Sequence, residues 1–357
     1  MIMYVHVFSG QTNYSWSLLN MLESEVDLQD HIFIFGLGKD HPMEFVYSGQ
    51  MQKQLLFLKN PAHIGKILRL IFRAKWIYIH LLAYDPTLFF WYLNRKLLKR
   101  TTWIGWGSDI YAFQKKSQSL RTRTYEWLRC RIIPVFPEIA AFVPEDFQVI
   151  ASVYGSHATY IPILYPLPVD PDQLDQVTVK PDRASVNVMI GNSGDPTNNH
   201  LQMIDLLACF RHENMKVVCP LAYGGTDEYR QLVISEGNRT FGNNFIPWLD
   251  MKDRQAYAGQ LADVDVALMN HKRQQGLGNI LALLYLGKKV FVRSDTSSYS
   301  FLRNNGCLVY GTESIRGMDF AEFSGEIPEK KVIISNVKKI LSRDYSAGLW
   351  KDLIQLH

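Results

Sequence analysis

Val186–His200 reads VNVMIGNSGDPTNNH, and the parsing of this stretch decides the fold of the chain's second half. Val186, Val188 and Ile190 alternate with Asn187 and Met189, the pattern of a short, largely apolar strand. Gly191–Pro196 is a cluster of turn formers, and Thr197 or Asn198 is placed to cap a helix beginning near Leu201. A strand, a glycine turn and a helix N-terminus aim unpaired backbone N–H groups at one small volume, which suits a phosphate or diphosphate. An ordinary strand-to-helix connection has the same pattern, because GNSG fits neither the Walker motif nor the dinucleotide fingerprint.

The same rhythm extends outward. Upstream, Ile2–Phe8, His31–Phe35, Trp76–His80 and Thr101–Gly105 read as strands, with Phe45–Tyr47 and Gln54–Leu58 as weaker candidates. Helical patterns separate them: Tyr14–Glu23, a helix opened by Pro61, another from Pro86 to Leu98, and Arg121–Cys130. Ile132–Phe136 reads as extended and Glu138–Phe142 as a short helix. Downstream, Lys216–Cys219, Val264–Met269, Lys289–Val292 and Leu308–Tyr310 are strand patterns. Helices are expected at Leu201–Phe210, from Asp227, and at Arg254–Leu261, Gly278–Leu286, Ser298–Arg303 and Val332–Leu341. Pro247 reads as a break. Strands alternating with helices of about ten residues predict an α/β fold, its parallel sheets covered on both faces.

Between the halves, Tyr160–Val179 holds Pro162, Pro166, Pro168 and Pro171, which disfavour helix and read as a semi-rigid connection. The expected organisation is an α/β domain over 1–165, a Pro-rich linker over 166–182, a second α/β domain over 183–330, and a helical tail over 331–357 packing back on the first. A length of 357 residues agrees with two domains, since single hydrophobic cores stop growing below that size.

Composition excludes several classes. With 47% apolar and 20% charged residues the chain reads as folded rather than disordered. Cys130, Cys209, Cys219 and Cys307 have no metal spacing and read as reduced core residues. Met1–Val7 runs straight into a strand pattern without a positively charged leader, and no stretch has the length of a membrane span. The net charge of +4 hides an asymmetry: 14 Lys/Arg stand against three Asp/Glu between Asn60 and Arg131. Trp91, Tyr92 and Trp127 fall in the same region and read as exposed. Cations interleaved with aromatics fit an anionic membrane surface better than nucleic acid, for which no recognition motif is present.

Three loops of the second half follow strands and would meet at one end of its sheet, where open α/β sheets bind ligands. They are Gly191–His200, Pro220–Thr226 (PLAYGGT) and His271–Asn279 (HKRQQGLGN). In the first half, Trp103–Tyr111 reads WIGWGSDIY: a strand ends in a glycine turn, and Asp109 lies just beyond it. Asp109 is a candidate general base and equally a candidate helix cap. His6, His80 and Asp85 also fall at or beyond strand ends. No HExxH, DxD or paired-carboxylate pattern points to a metal, so a diphosphate would be neutralised by cations such as His271–Arg273 and by helix N-termini.

Five segments, WIGWGSDIY, YPLPVDP at Tyr165–Pro171, IGNSGDPTNNH, VVCPLAYGG and KRQQGLGNILALL, resemble in order and spacing the bacterial TDP-N-acetylfucosamine:lipid II N-acetylfucosaminyltransferases. That resemblance implies the GT-B glycosyltransferase fold, two Rossmann-like domains facing across a cleft. It implies a peripheral enzyme on the cytoplasmic side of the inner membrane, and the missing metal motif adds the expectation that it needs no metal. Its reaction would move 4-acetamido-4,6-dideoxygalactose from a dTDP donor, with a UDP-sugar as the second donor class, to an undecaprenyl-diphosphate-linked saccharide. The donor side would comprise Gly191, Asn192, Ser193, Gly194, Asp195, Tyr223, Arg273, Gln274, Gln275, Gly276, Gly278 and Asn279. Asp109 would be catalytic, with His6 and Asp85 next in line. The competing readings are a nucleotide-sugar epimerase and a non-catalytic membrane-associated nucleotide-sugar or saccharide-binding protein.

Overall fold

The computed structural model describes residues 3–38, 49–114, 119–166, 171–177 and 185–357. The strand pattern at Phe45–Tyr47 and part of the Pro-rich segment lie outside these residues. The chain forms two compact units, one of Met1–Pro168 with Arg343–His357 and the other of Val169–Ser342.

The first unit is built on seven parallel strands: β1 (Tyr4–Phe8), β2 (His31–Phe35), β3 (Leu55–Phe57), β4 (Trp76–His80), β5 (Thr101–Ile104), β6 (Glu138–Ala141) and β7 (Thr159–Pro162). Their order is β3-β2-β1-β4-β5-β6-β7, so the direction of winding reverses between β1 and β4. One face packs on the helices Pro61–Arg73, Thr87–Leu93, Leu120–Ile132 and Pro144–Tyr154 through Ile67, Ile71, Leu88, Leu128 and Ile150. The other carries the helix Asn13–Glu25 and the returning helix Arg343–Gln355, which buries Trp350 and Leu353 among Trp16, Leu19 and Phe35. Lys351 Nζ lies 2.9 Å from Glu25 Oε2. The return begins at Arg343, later than the expected boundary after 330, because the helix Lys330–Leu341 buries Ile333 and Val337 within the second unit.

The second unit has six parallel strands: β8 (Val186–Ile190), β9 (Met215–Pro220), β10 (Phe245–Trp248), β11 (Val266–Met269), β12 (Lys289–Val292) and β13 (Tyr310–Gly311). Their order is β10-β9-β8-β11-β12-β13, which puts the reversal between β8 and β11. Ligands of such sheets bind beyond the strand ends at that reversal.

Several local expectations are corrected. Glu138–Phe142 is not a helix: Glu138–Ala141 is β6, and Ile139, Ala140 and Ala141 are buried between β5 and β7. Tertiary pairing overrides the helical preference of Glu and Ala there. Ile133–Val135 is a 3-10 turn rather than extended chain. Pro247 does not break the structure but lies inside β10, which is tolerated because β10 is an edge strand paired only with β9. The helix predicted from Pro86 to Leu98 is interrupted at Asn94, whose Nδ2 donates to Phe90 O at 2.8 Å. Trp91 is buried, while Cys130 and Cys209 are exposed rather than in the core.

Candidate active site

At the carboxyl ends of β8, β9 and β11 the three glycine-containing loops of the second unit meet. Gly194 N–H donates to Tyr223 O at 2.7 Å, and Asn192 Nδ2 donates to Tyr223 Oη at 3.1 Å. Lys272 N–H donates to Thr197 O at 3.2 Å, and the Thr197 hydroxyl lies 2.6 Å from both Asp195 Oδ1 and Gln275 Oε1. Gly225 has φ +66°, and a Cβ there would overlap the Gly194 carbonyl, so only glycine permits this approach.

Neither Thr197 nor Asn198 caps the helix at His200–Leu207; Asn199 occupies the cap position in the left-handed conformation. Asn198 does something else. Fully buried, it accepts at Oδ1 from Asn192 N–H at 2.8 Å and bonds His271 Nε2 at 2.9 Å. Its Nδ2 donates to Ser193 Oγ at 3.1 Å and Asp195 O at 3.0 Å. With all these bonds made, Asn198 fastens the loop after β8 to the loop after β11. His200 lies beneath, its Nδ1 3.2 Å from Tyr229 Oη.

His271 is therefore a framework residue. Burial first, then the nearby Arg273 charge, pushes its pKa down to about 3, so the ring is neutral at physiological pH. The expected charge neutralisation by His271–Arg273 is left to Arg273, with exposed Lys272 beside it. The helix Leu277–Tyr285 starts here. Its first internal bond runs from Ile280 N–H to Gly276 O at 3.0 Å, leaving the amides of Leu277, Gly278 and Asn279 without acceptors inside the helix. Gly276 has φ +65°, and a Cβ would meet His271 Cε1 at 2.8 Å and Asn192 Oδ1 at 3.1 Å. Asn192 Oδ1 is itself buried and unpartnered. Asn279 Oδ1 accepts from Tyr257 Oη at 2.9 Å, and Arg273 Nη1 donates to Gln274 O at 3.1 Å. The twelve donor-side candidates thus lie on three adjoining loops and the helix start that follows the last of them, where amides without helix acceptors, two cations and an exposed tyrosine ring come together, groups able to bind an anion.

The three catalytic candidates of the first unit are placed differently from expectation. Asp109 is buried, and its two oxygens accept four bonds. Leu82 N–H at 2.7 Å and Trp103 Nε1 at 2.9 Å reach Oδ2, while Trp106 N–H at 2.6 Å and Ile110 N–H at 3.0 Å reach Oδ1. Burial raises its pKa, opposed by Arg129 and by these donors. Arg129, fully buried, donates to Leu82 O at 2.6 Å and Asp109 O at 2.7 Å. Together Asp109 and Arg129 tie the loop after β4 to the turn after β5. With two N–H donors on each carboxylate oxygen, Asp109 holds structure rather than presenting a free basic lone pair.

His6 is not at a strand end; it lies in the middle of β1 with both ring nitrogens bonded to other histidines. Asp85 Oδ1 accepts from Thr87 N–H at 2.8 Å and from the Thr87 hydroxyl, capping the next helix.

The sequence pattern of the family described as 4-alpha-L-fucosyltransferase, glycosyl transferase group 56, matches residues 71–315. The chain belongs to this family. Group 56 membership makes it a nucleotide-sugar-dependent glycosyltransferase and sets aside the epimerase and non-catalytic readings.

Solved structures agree on the fold. The group 56 chain is similar to a UDP-forming alpha,alpha-trehalose-phosphate synthase from Burkholderia xenovorans, with TM-score 0.63 and 11% identity over 100% of this chain and 98% of that one. It is similar to WaaG, a glycosyltransferase involved in lipopolysaccharide biosynthesis, with TM-score 0.58 and 10% identity over 99% and 98%. A glycosyltransferase from Rickettsia africae matches with TM-score 0.62 and 11% identity over 99% and 97%. At such identities the likeness is one of fold, the GT-B type with two parallel sheets each flanked by helices.

Replacing Arg273 tests the donor assignment directly. Negative charge grows on the leaving diphosphate in the transition state, and Arg can meet it bidentately. Arg273→Ala is expected to lower kcat/KM for the nucleotide sugar roughly 10²-fold with the fold intact. Steady-state kinetics against donor concentration check this; unchanged donor dependence in a folded variant would remove Arg273 from the site.

Proposed function

We propose that the enzyme transfers 4-acetamido-4,6-dideoxygalactose from its dTDP donor to an undecaprenyl-diphosphate-linked saccharide, without a metal, while docked on an anionic membrane surface at the cytoplasmic face. The observation that supports the reading is the loop cluster at the β8/β11 reversal, where Arg273, Lys272 and the amides at Leu277–Asn279 lie together, a grouping that suits a diphosphate. Among the described residues no three His, Cys, Asp or Glu side chains are grouped to hold a metal ion. Purified protein incubated with dTDP- and UDP-sugar panels and membrane lipid extract should move radiolabel into the organic phase from dTDP-4-acetamido-4,6-dideoxygalactose. Transfer should persist in EDTA. Loss on chelation with recovery on adding Mg²⁺ or Mn²⁺ would overturn the metal-free step, and label from other donors only would overturn the sugar.

A surface of the first unit supports the lipid-linked acceptor. On the helix Pro61–Arg73, Ile67 and Ile71 face the core, yet Ile64, Leu68 and Phe72 form a second, exposed apolar row at i, i+4 and i+8. Phe72 meets Phe90 at 6.3 Å between ring centroids, and Tyr92 meets Trp127 at 5.3 Å, so the row continues onto the next two helices. Arg131 lies over Trp127 at 4.0 Å. The three carboxylates of this segment all turn inward: Asp109 is buried, Asp85 caps a helix, and Glu126 bonds Tyr84, Tyr154 and Arg129. The outer face is left with cations around exposed apolar side chains, the composition of an interfacial helix surface. No helix among the described residues is long and apolar enough to cross a membrane. Each Lys or Arg near an anionic leaflet contributes about 1 kcal/mol. Replacing Lys66, Arg69 and Arg73 together by Ala should therefore weaken partition onto anionic vesicles roughly 10²-fold at low salt. Vesicle sedimentation reads this out; equal partition onto neutral and anionic vesicles would overturn it.

A further inference from the structure

Among the described residues, three that are not glycine have positive φ: Leu81, Asn199 and Glu329. Asparagine tolerates this region, and Glu329 is an exposed residue just ahead of a helix. Leu81, at φ +71°, is the bulky apolar one. It follows His80 directly, at the carboxyl end of β4, where the winding of the first sheet reverses against β1.

The bend is held from both sides. Leu81 N–H donates to Ile104 O at 3.0 Å, continuing the ladder onto β5. Leu82 N–H then donates to Asp109 Oδ2 at 2.7 Å, and Leu82 O accepts from Arg129 Nη1 at 2.6 Å. The left-handed turn at Leu81 leads the chain from the first of these bonds into the other two. Glycine would make the same turn without the crowding of Cβ against the following carbonyl. Core packing does not account for the leucine either. His80 and Leu82 are buried, whereas Leu81 is partly exposed. Among the described residues it belongs to neither apolar cluster of the first unit. A side chain that strains the backbone and adds nothing to the core points to a contact made elsewhere.

We propose that the Leu81 side chain is one wall of a saccharide-binding subsite on the first unit, at the carboxyl edge of β1, β4 and β5. The proposal rests on the glycosyl-transfer reading above, whose acceptor ends in a sugar. Ligands of open α/β sheets bind beyond such a reversal. Trp106 adjoins the turn, because its N–H donates at 2.6 Å to the same Asp109 carboxylate that holds Leu82. Tyr14, in the first turn of the helix after β1, stands edge-on to Trp106, with ring centroids 5.0 Å apart and planes at 82°. Tyr14 is 38% exposed, and Ser108, two residues beyond Trp106, is exposed as well.

These groups have the chemistry of a sugar site rather than a phosphate site. Aromatic faces carry negative charge, which draws the C–H groups of a pyranose ring, and a leucine covers the rest of an apolar sugar face. The Ser108 hydroxyl both donates and accepts, as sugar hydroxyls require. None of the four residues is a cation, unlike the Lys272–Arg273 pair in the loops of the second unit.

Methyl NMR on the whole chain, with ¹³C-labelled leucine methyls, tests the contact directly. The Leu81 signals, identified by their absence from Leu81→Asn, should move on adding the water-soluble saccharide released from membrane lipid extract by mild acid. Leu81→Gly should melt at the parent temperature or up to about 4 °C above it. With intact lipid extract as acceptor, the acceptor KM of this variant should rise roughly 10-fold or more, with dTDP affinity at the parent value. Leu81→Asn, which is polar but tolerates the left-handed region, should raise the acceptor KM likewise. A Leu81→Gly protein that does not fold, or melts more than about 4 °C below the parent, would make the leucine a packing residue and overturn the subsite. An unchanged acceptor KM in either folded variant would overturn it too, as would methyl shifts with anionic vesicles and none with the saccharide. A parent protein that transfers no sugar refutes the functional reading instead, and the methyl shift still decides whether a saccharide meets Leu81.

Discussion

Asp109→Asn is expected to lower the melting temperature of the first unit by about 10 °C. The usual expectation for an Asp-to-Asn change at a catalytic base is lost turnover with stability unchanged, because the two side chains have the same shape. Here the geometry forbids that outcome. Both carboxylate oxygens accept two N–H groups each, from Leu82 and Trp103 on one side and from Trp106 and Ile110 on the other. Whichever oxygen becomes an amide nitrogen then faces two donors with two more, so two bonds are lost and a donor conflict replaces them. A hydrogen bond to a buried charged group contributes about 1.5–3 kcal/mol, giving a loss of about 3 kcal/mol or more. At this size each kcal/mol moves the melting temperature about 2–4 °C. Calorimetry of the variant checks the shift; a melting temperature within 2 °C of the parent would mean the four bonds do not anchor the loops. Turnover should fall as well, even well below the melting temperature, because the loops after β4 and β5 share this anchor.

The strands were largely legible in the sequence, and the reason is local. His31–Phe35, Trp76–His80 and Lys289–Val292 are short apolar runs whose burial in a parallel sheet demands that pattern, and the structure has strands at those residues. Glu138–Ala141 and Phe245–Trp248 were not legible, because one is made of helix formers and the other contains a proline. Only their places in the sheet, between two strands and at an edge, explain them.

The loops of the candidate donor site could be read because each is a glycine turn after a strand. The side chains that hold them together could not. Asn198 to His271 spans 73 residues and His6 to His80 spans 74, and no periodicity announces a bond over such separations. Register makes them neighbours: β1 pairs with both β2 and β4, which brings His31 and His80 to the two sides of His6. Asp109 shows the converse. Its position beyond a strand end was visible, but the four donors that occupy it come from separate turns and from a tryptophan ring.

Acidification is expected to unfold the protein at mild pH, the first unit before the second. Burial, the largest cause in each case, lowers the pKa of five histidines. His6 and His80 are pushed well below the ordinary value, His31 and His200 to about 4, and His271 to about 3. The folded state keeps these rings neutral, whereas the unfolded chain protonates them below about pH 6.5. Their contribution is therefore present above pH 6.5 and is lost as pH falls below it, since every folded value lies below the unfolded one. Each such group adds a slope of about 1.4 kcal/mol per pH unit in that window. With three of them, the first unit loses about 6 kcal/mol between pH 6.5 and pH 5; the second, with two, loses about 4. A domain is stable by only about 5–15 kcal/mol in total. Two transitions should separate in calorimetry as pH is lowered from 7.5 to 4.5, the one belonging to the first unit falling faster. His31→Gln should flatten that fall by about one third, since one of three titrating rings is gone. A melting temperature constant between pH 7 and pH 5 would show that the buried histidines keep their ordinary pKa values. The early onset is what distinguishes this mechanism from general acid denaturation, because carboxylates begin to take up protons only nearer pH 4.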